Sequence, residues 1–350
     1  MQAMLLPQIV HLDENQTPLI LHNIPIPKPG DNEVLIQVAA CGVCHTELDE
    51  IEGRTLPAFF PMILGHQVTG KIVELGKYAF KYPIETRVGI AWFYSSCGQC
   101  EFCRNGFENL CPEFKATGRD AHGGYAEYMV APEDAVFPLP EQLDSIKAAP
   151  LLCAGAIGYR SLRLANLSNG RRLGLCGFGA SAHLVLKLVR YLYPDTPVYV
   201  FARSEQERQF AISLGAEWAG DFTDQSPVKL HAIIDTTPVW FTIVNVLKNL
   251  LPNGRLVINA IRKETSDIHS LTTLDYARDL WLEKELKSVA NVTRQDVAEF
   301  LHLAAVIPII PEVETYQLAE ANRALWELKN RHIRGAKVLL IGETTSAAPI

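Results

Sequence analysis

The 350-residue sequence predicts an α/β protein of two domains, an irregular β-rich unit and a doubly wound parallel sheet. Three observations carry that expectation. The first ~150 residues contain short strand-like runs broken throughout by glycine and proline. From about Ala156 onward, strands alternate with helix-length segments. A glycine turn, Gly177-Phe178-Gly179-Ala180-Ser181-Ala182, joins one of those strands to the helix after it.

In order along the chain, Val34-Leu35-Ile36-Gln37-Val38 and Lys71-Ile72-Val73-Glu74-Leu75 read as strands of the first domain. In the second, Leu173-Gly174-Leu175-Cys176 is a buried strand and Ala180 to Tyr193 a helix stopped by Pro194. Val198-Tyr199-Val200-Phe201 is the next strand, and Ser204 caps a helix that ends at Gly215. His231 to Asp235, Arg255 to Ile258 and Leu286 to Val289 continue the series. Strands joined by helices of this length make right-handed crossovers, hence a parallel sheet covered on both faces. The last ~50 residues, with strands near Val313 and Val338 around a helix from Leu318 to Lys329, can complete either domain. Thr344 to Ile350 is a short polar tail expected to be loose.

Apolar content of 48% and charged content of 20% fit an ordinary globular protein, and the net charge of −7 disfavours nucleic acid or an anionic membrane as partner. Met4-Leu5-Leu6 is followed at once by Pro7, and the longer apolar stretches fall short of a membrane span. A cytoplasmic enzyme is the expectation.

Six of the eight cysteines form two patterns that suit metal chemistry. Cys97, Cys100, Cys103 and Cys111 are compact, with steps of x2, x2 and x7. Two intervening residues let the chain turn back so that both sulfurs face one ion, and the longer step closes a fourth corner. Disulfides within so tight a cluster would be strained. The second set is dispersed: Cys44, His66 and Cys153. Four thiolates read as a closed structural site, and two thiolates with one imidazole as an open one. Any member of the second set, taken alone, reads equally well as a core residue. Cys41 and Cys176 lie in apolar strand contexts and read as small core side chains.

The glycine turn matches G-x-G-x-x-G/A. Gly177 and Gly179 allow a tight turn and close approach of a pyrophosphate to a helix N-terminus, and Ala182 allows close helix–strand packing. An NAD site is expected to end its next strand in an acid, to hold the ribose hydroxyls. Here that strand ends Ala202-Arg203-Ser204. A small neutral residue followed by arginine and serine suits the 2′-phosphate of NADP, with NAD as the alternative.

Taken together, Cys41-Gly42-Val43-Cys44-His45-Thr46-Glu47, Gly65-His66-Gln67-Val68-Thr69-Gly70 and Leu152-Cys153-Ala154-Gly155 resemble the medium-chain, zinc-dependent alcohol dehydrogenases. The resemblance covers nearly the whole chain, with the Cys97 to Cys111 lobe in its expected place. It implies a GroES-like catalytic domain, residues 1–152 and 291–350 with a structural zinc lobe at 95–113, and a Rossmann domain at 153–290. It implies two zinc ions per subunit, one held by Cys44, His66 and Cys153 with the fourth position left for water or substrate, the other by the compact cluster. Thr46 matches the hydroxyl that takes the alcohol proton, and His45 a position that contacts the cofactor pyrophosphate. Trp92, Phe93 and Leu56 are expected pocket walls, favouring small or slender primary alcohols and aldehydes. Relatives are homodimers or homotetramers paired through the edge of the cofactor-domain sheet.

Four positions depart from the family pattern. Asp49 stands where a proton-relay histidine is common, Glu47 where an aspartate orients the zinc histidine, Gln67 where a glutamate follows it, and Ile157 where a threonine is expected near the nicotinamide. A carboxylate also accepts protons, so Asp49 is the candidate relay. Two other enzymes are compatible with the same scaffold, a polyol dehydrogenase and an aromatic aldehyde reductase. A zinc-lobe interaction protein without catalysis would carry one zinc and no cofactor.

Overall fold

The computed structural model describes residues 1–307, 309–330 and 335–342. The polar tail expected at Thr344 to Ile350 lies outside the described residues. Two compact units are resolved: residues 1–153 with 292–350, and residues 154–291. Cys153 therefore ends the first unit. No helix among the described residues is long and apolar enough to cross a membrane.

The first unit is built on Glu33–Val43, a long strand whose residues are nearly all buried. It pairs antiparallel with Val68–Leu75 on one side and with Ala336–Leu340 on the other, and its N-terminal half also pairs with Tyr128–Pro132. The C-terminal strand thus completes the first unit, with Lys337 opposite Val43 and Leu340 opposite Ala40. Val34, Ile36 and Val38 alternate into one apolar core with Val68, Ile72, Val88 and Ile90, while Cys41 is a fully buried member of it. Register slips interrupt the Glu33–Val43 pairing at Leu35/Ile36 and Val38/Ala40, bending the strand. Its end feeds the short helix His45–Ile51, which carries Thr46, Glu47 and Asp49.

The second unit is a six-stranded sheet in which every pairing is parallel. Its spatial order is Trp218–Gly220, Val198–Phe201, Leu173–Cys176, Leu230–Asp235, Leu250–Ile258, Glu285–Ser288. That is the 3-2-1-4-5-6 order of a doubly wound dinucleotide fold, with its reversal between Leu173–Cys176 and Leu230–Asp235. The fully buried strands Leu173–Cys176 and Val198–Phe201 explain their unbroken apolar runs. Helix Ala180–Leu192 stops one residue before Tyr193, which takes a non-helical conformation ahead of Pro194. Ser204 caps Glu205–Ser213 as expected, its hydroxyl accepting from Glu207 N while the Glu207 carboxylate accepts from Ser204 N. Trp218–Gly220 is a strand the sequence pattern did not announce.

Candidate active site and nucleotide-binding turn

Among the described residues, two groups of side chains come together as metal ligands would, and they are the two sets expected from spacing. In the lobe, Cys97 Sγ lies 3.9 Å from Cys103 Sγ and 3.5 Å from Cys111 Sγ, and Cys100 Sγ lies 3.5 Å from Cys103 Sγ. All four cysteines are free thiols. Tetrahedral zinc with bonds of about 2.3 Å sets S···S edges near 3.8 Å, so the cluster fits that ion. Backbone amides also aim at the sulfurs: Cys100 N and Cys97 N donate to Cys97 and Cys111 at 3.4 Å, and Glu113 N donates to Cys111 at 3.3 Å. Those amides suit thiolates, and donation from Gln99 and Cys100 brings the Cys97 thiol down to about 7.

The dispersed trio is assembled by three separate elements of the first unit. Cys44 is the N-cap of His45–Ile51, His66 follows Gly65 in the approach to Val68–Leu75, and Cys153 sits in a single π-helical turn, Leu151–Gly155. Their ligand atoms all lie within 4.8 Å of one another. The position of His66 depends on Gly65, whose φ of +98° suits glycine; a Cβ there would sit 2.4 Å from the Tyr125 ring.

Glu47 ties two members of the trio together. One of its carboxylate oxygens accepts from Cys44 N at 2.7 Å, closing a capping box, and the other lies 2.6 Å from His66 Nδ1. Glu47 is fully buried. With Nδ1–H donating to that carboxylate, His66 presents Nε2 as its free lone pair, the tautomer a metal requires. The longer side chain at this position therefore still reaches the histidine. A proton shared with Cys153 holds Cys44 well below the ordinary thiol range and pushes Cys153 above it. Burial alone would lower the His66 pKa, but Glu47 and Cys44 outweigh it and raise it. Two sulfurs and a carboxylate in so small a volume gather negative charge that a divalent cation would neutralise, so this donor set also fits zinc.

The neighbouring residues follow less uniformly. Thr46 Oγ1 lies 3.7 Å from Cys44 Sγ, and His45 is exposed. Asp49 is buried, and its carboxylate accepts from Arg54 Nε at 2.6 Å. Gln67 is turned back against Gly42, where a Cβ would meet its Oε1 at 2.7 Å. Of the three expected pocket walls, Leu56 is 60% exposed and Trp92 only 8%. Phe93 is 2% exposed, packed edge-on against Phe114 and beneath the Arg294 guanidinium, which makes it a core residue. Sequence reasoning missed two groups beside this site. Glu50 is fully buried with neither carboxylate oxygen hydrogen-bonded, and burial followed by Glu47 pushes its pKa well up. The buried Tyr125 hydroxyl is likewise without a hydrogen-bond partner. An acid in a seven-residue helix reads as surface charge, and only burial distinguishes it.

In the second unit, Gly177 ends Leu173–Cys176 with a φ of +78°, and a Cβ on it would meet Thr236 Oγ1 at 2.7 Å. Gly179 has open space where its Cβ would go, and Ala182 is buried, the arrangement a pyrophosphate and a close helix require. Phe178 is buried against Phe210, with ring centroids 5.8 Å apart. At the end of the neighbouring strand Ala202 is buried and Arg203 exposed, and no acid occupies either position.

A sequence profile of the family described as "Alcohol dehydrogenase GroES-like domain" matches residues 30–141. The chain is 39% identical over 322 residues to "Probable alcohol dehydrogenase AdhA" of Mycobacterium tuberculosis, covering 90% of this chain and 91% of that protein. It is 31% identical over 341 residues to an "Alcohol dehydrogenase" of Geobacillus stearothermophilus, covering 95% and 98% respectively. Among solved structures, the cinnamyl alcohol dehydrogenase SbCAD4 from Sorghum bicolor superposes with a TM-score of 0.80 at 25% identity, covering 97% of each chain.

Proposed function

Because the chain belongs to the medium-chain, zinc-type alcohol dehydrogenases, we propose that it catalyses reversible hydride transfer between a primary alcohol or its aldehyde and NADP(H). The observation that carries this reading is the Cys44, His66 and Cys153 trio with Glu47 fixing the histidine tautomer. Zinc held by those three residues supplies Lewis acidity toward the substrate oxygen, and the nicotinamide supplies the hydride acceptor or donor. Glu47 holds His66 Nδ1 and the Cys44 amide, so two of the three ligands are oriented by one buried carboxylate. Thr46, beside Cys44, takes the alcohol proton through its hydroxyl. Gly177, Gly179 and Ala182 receive the pyrophosphate at the start of Ala180–Leu192, and His45 adds a contact to it. A second zinc in the lobe of Cys97, Cys100, Cys103 and Cys111 is structural.

Asp49 is the relay candidate, one helical turn after Thr46 and on the same face. Its carboxylate already accepts from Arg54 Nε at 2.6 Å, so the guanidinium fixes where an accepted proton would sit. Asp49→Ala is expected to move the pH–rate profile of alcohol oxidation toward higher pH, because the proton then leaves without an internal acceptor. An unchanged profile places Asp49 outside the relay.

NADP(H) is favoured by the ending Ala202-Arg203-Ser204. The Ser204 oxygen accepts one capping bond, which leaves its O–H to donate to a phosphate, and Arg203 is exposed beside it. A higher kcat/KM with NADPH than with NADH is expected in aldehyde reduction; the reverse order assigns the site to NAD. A second reading, reduction of aromatic aldehydes, is supported by the likeness to the sorghum cinnamyl alcohol dehydrogenase. A panel of aliphatic, aromatic and polyol substrates separates the readings. A homo-oligomer is proposed through the edge strand Glu285–Ser288, all exposed, beside exposed Trp281 and Leu282; light scattering gives its size.

A further inference from the structure

Away from the metal ligands, the second unit contains a buried ion pair that hydride transfer does not call for. Asp235 ends Leu230–Asp235, directly opposite Cys176 in the parallel register, and is fully buried. It stands where the strand order reverses, at the C-terminal ends of the two strands that flank a dinucleotide crevice. Lys263, with a side chain 7% exposed, donates from Nζ to the Asp235 carboxylate at 2.5 Å. Its other donors go to Thr237 O at 2.7 Å and Val239 O at 3.2 Å. Three acceptors use all three ammonium hydrogens, so Lys263 has none left for a ligand.

Lys263 therefore acts on the loop 235–239 rather than on a substrate. That loop is clasped at both ends by the segment carrying Lys263: Asn259 N donates to Asp235 O and Glu264 N to Pro238 O, each at 2.7 Å. Thr237 Oγ1 donates to Asp235 at 2.8 Å and lies 2.5 Å from Thr242 Oγ1. The same loop is the wall against which the glycine turn rests. Thr236 N and Thr236 Oγ1 both donate to Cys176 O, at 2.8 and 3.1 Å, and the Thr236 and Thr237 side chains fill the space a Cβ on Gly177 would need. Asn259 also approaches Ser181, inside the turn's motif, at 3.5 Å.

We propose that Lys263 and Asp235 form a positioning pair that sets the glycine turn for the cofactor, so that breaking the pair weakens dinucleotide binding without touching the chemistry. The pair holds loop 235–239 in one place, and that loop limits where Gly177 can sit. A surface ion pair could not do this, because solvent would screen it and leave its side chains mobile. A buried one with every donor used defines a single arrangement.

The proposal rests on the dehydrogenase reading, and the test separates the two. Lys263→Met leaves a buried unpaired carboxylate, so Asp235→Asn/Lys263→Met is measured beside it as a variant with no charge stranded in the site. NADPH and NADH binding is followed by calorimetry on the full-length protein, with zinc content and melting temperature recorded. The double variant is expected to raise the dissociation constant about tenfold or more, with kcat at saturating cofactor within about twofold of the parent. Equal cofactor affinity in parent and folded variant, with only the melting temperature lowered, overturns the proposal and makes the pair purely structural. A parent that binds neither cofactor overturns both the proposal and the reading beneath it.

Discussion

Cys153→Ser is expected to give a folded protein that retains one zinc per chain instead of two and oxidises alcohol at least ~10³-fold more slowly. A serine hydroxyl stays protonated where a thiolate would bind, so the site falls from three protein ligands to two. The other two ligands are held independently of residue 153. Glu47 continues to bridge the Cys44 amide and His66 Nδ1, and Gly65, the residue before His66, still packs against the Tyr125 ring. The substitution thus removes the metal without dismantling its surroundings, and the lobe's ion stays as an internal reference. Metal analysis alongside kcat checks it. Full activity with one zinc would separate the trio from catalysis.

Cys111→Ser should do the opposite: activity per folded molecule survives while stability falls. The lobe has little else to hold it, since Phe102, Phe107 and Leu110 are 40%, 46% and 42% exposed and form no apolar core. Its helix, Glu101–Arg104, is a single turn, too short to persist alone. Among what holds it are the sulfurs, 3.5–3.9 Å apart in three pairs, and the buried Glu108, which accepts from Arg294 N at 2.8 Å. Structural zinc binding is worth about 10 kcal/mol or more in small domains. Losing even a third of that through one ligand lowers the melting temperature by roughly 5 °C in a chain of this size. Cleavage within residues 95–113 by limited proteolysis is the companion readout. An unchanged melting temperature would mean that the lobe is held without metal.

The compact cluster was legible because cysteine spacing is a local code: x2 steps bring sulfurs together whatever the rest of the fold does. The dispersed trio was legible only through the family resemblance of the segments around Cys44, His66 and Cys153. The doubly wound sheet was legible from its buried strands, whose uninterrupted apolar runs at Leu173 and Val198 follow from burial on both faces. Trp218–Gly220 escaped because three residues, one of them glycine, carry no periodicity. The shell around the trio was less legible. Asp49 reads as a free carboxylate in sequence, and only the fold brings Arg54 onto it. Phe93 reads as a pocket wall, yet tertiary packing places it beneath Arg294. Glu50 and the Lys263–Asp235 pair were invisible for the same reason. Their meaning lies in burial and in partners far along the chain, Lys263 lying 28 residues from Asp235.

The proposed function requires that Cys44, His66 and Cys153 bind a zinc on which nicotinamide-dependent alcohol oxidation depends. Its most direct test is a titration of activity against bound zinc, with a chelator removing the accessible ion and zinc restoring it, assayed with primary alcohols and both cofactors. Turnover is expected to fall in proportion to loss of the first zinc, while the lobe's ion stays bound, and to return on adding zinc. Turnover that persists after that ion is gone, or a fully zinc-loaded protein that reduces neither cofactor, would contradict it.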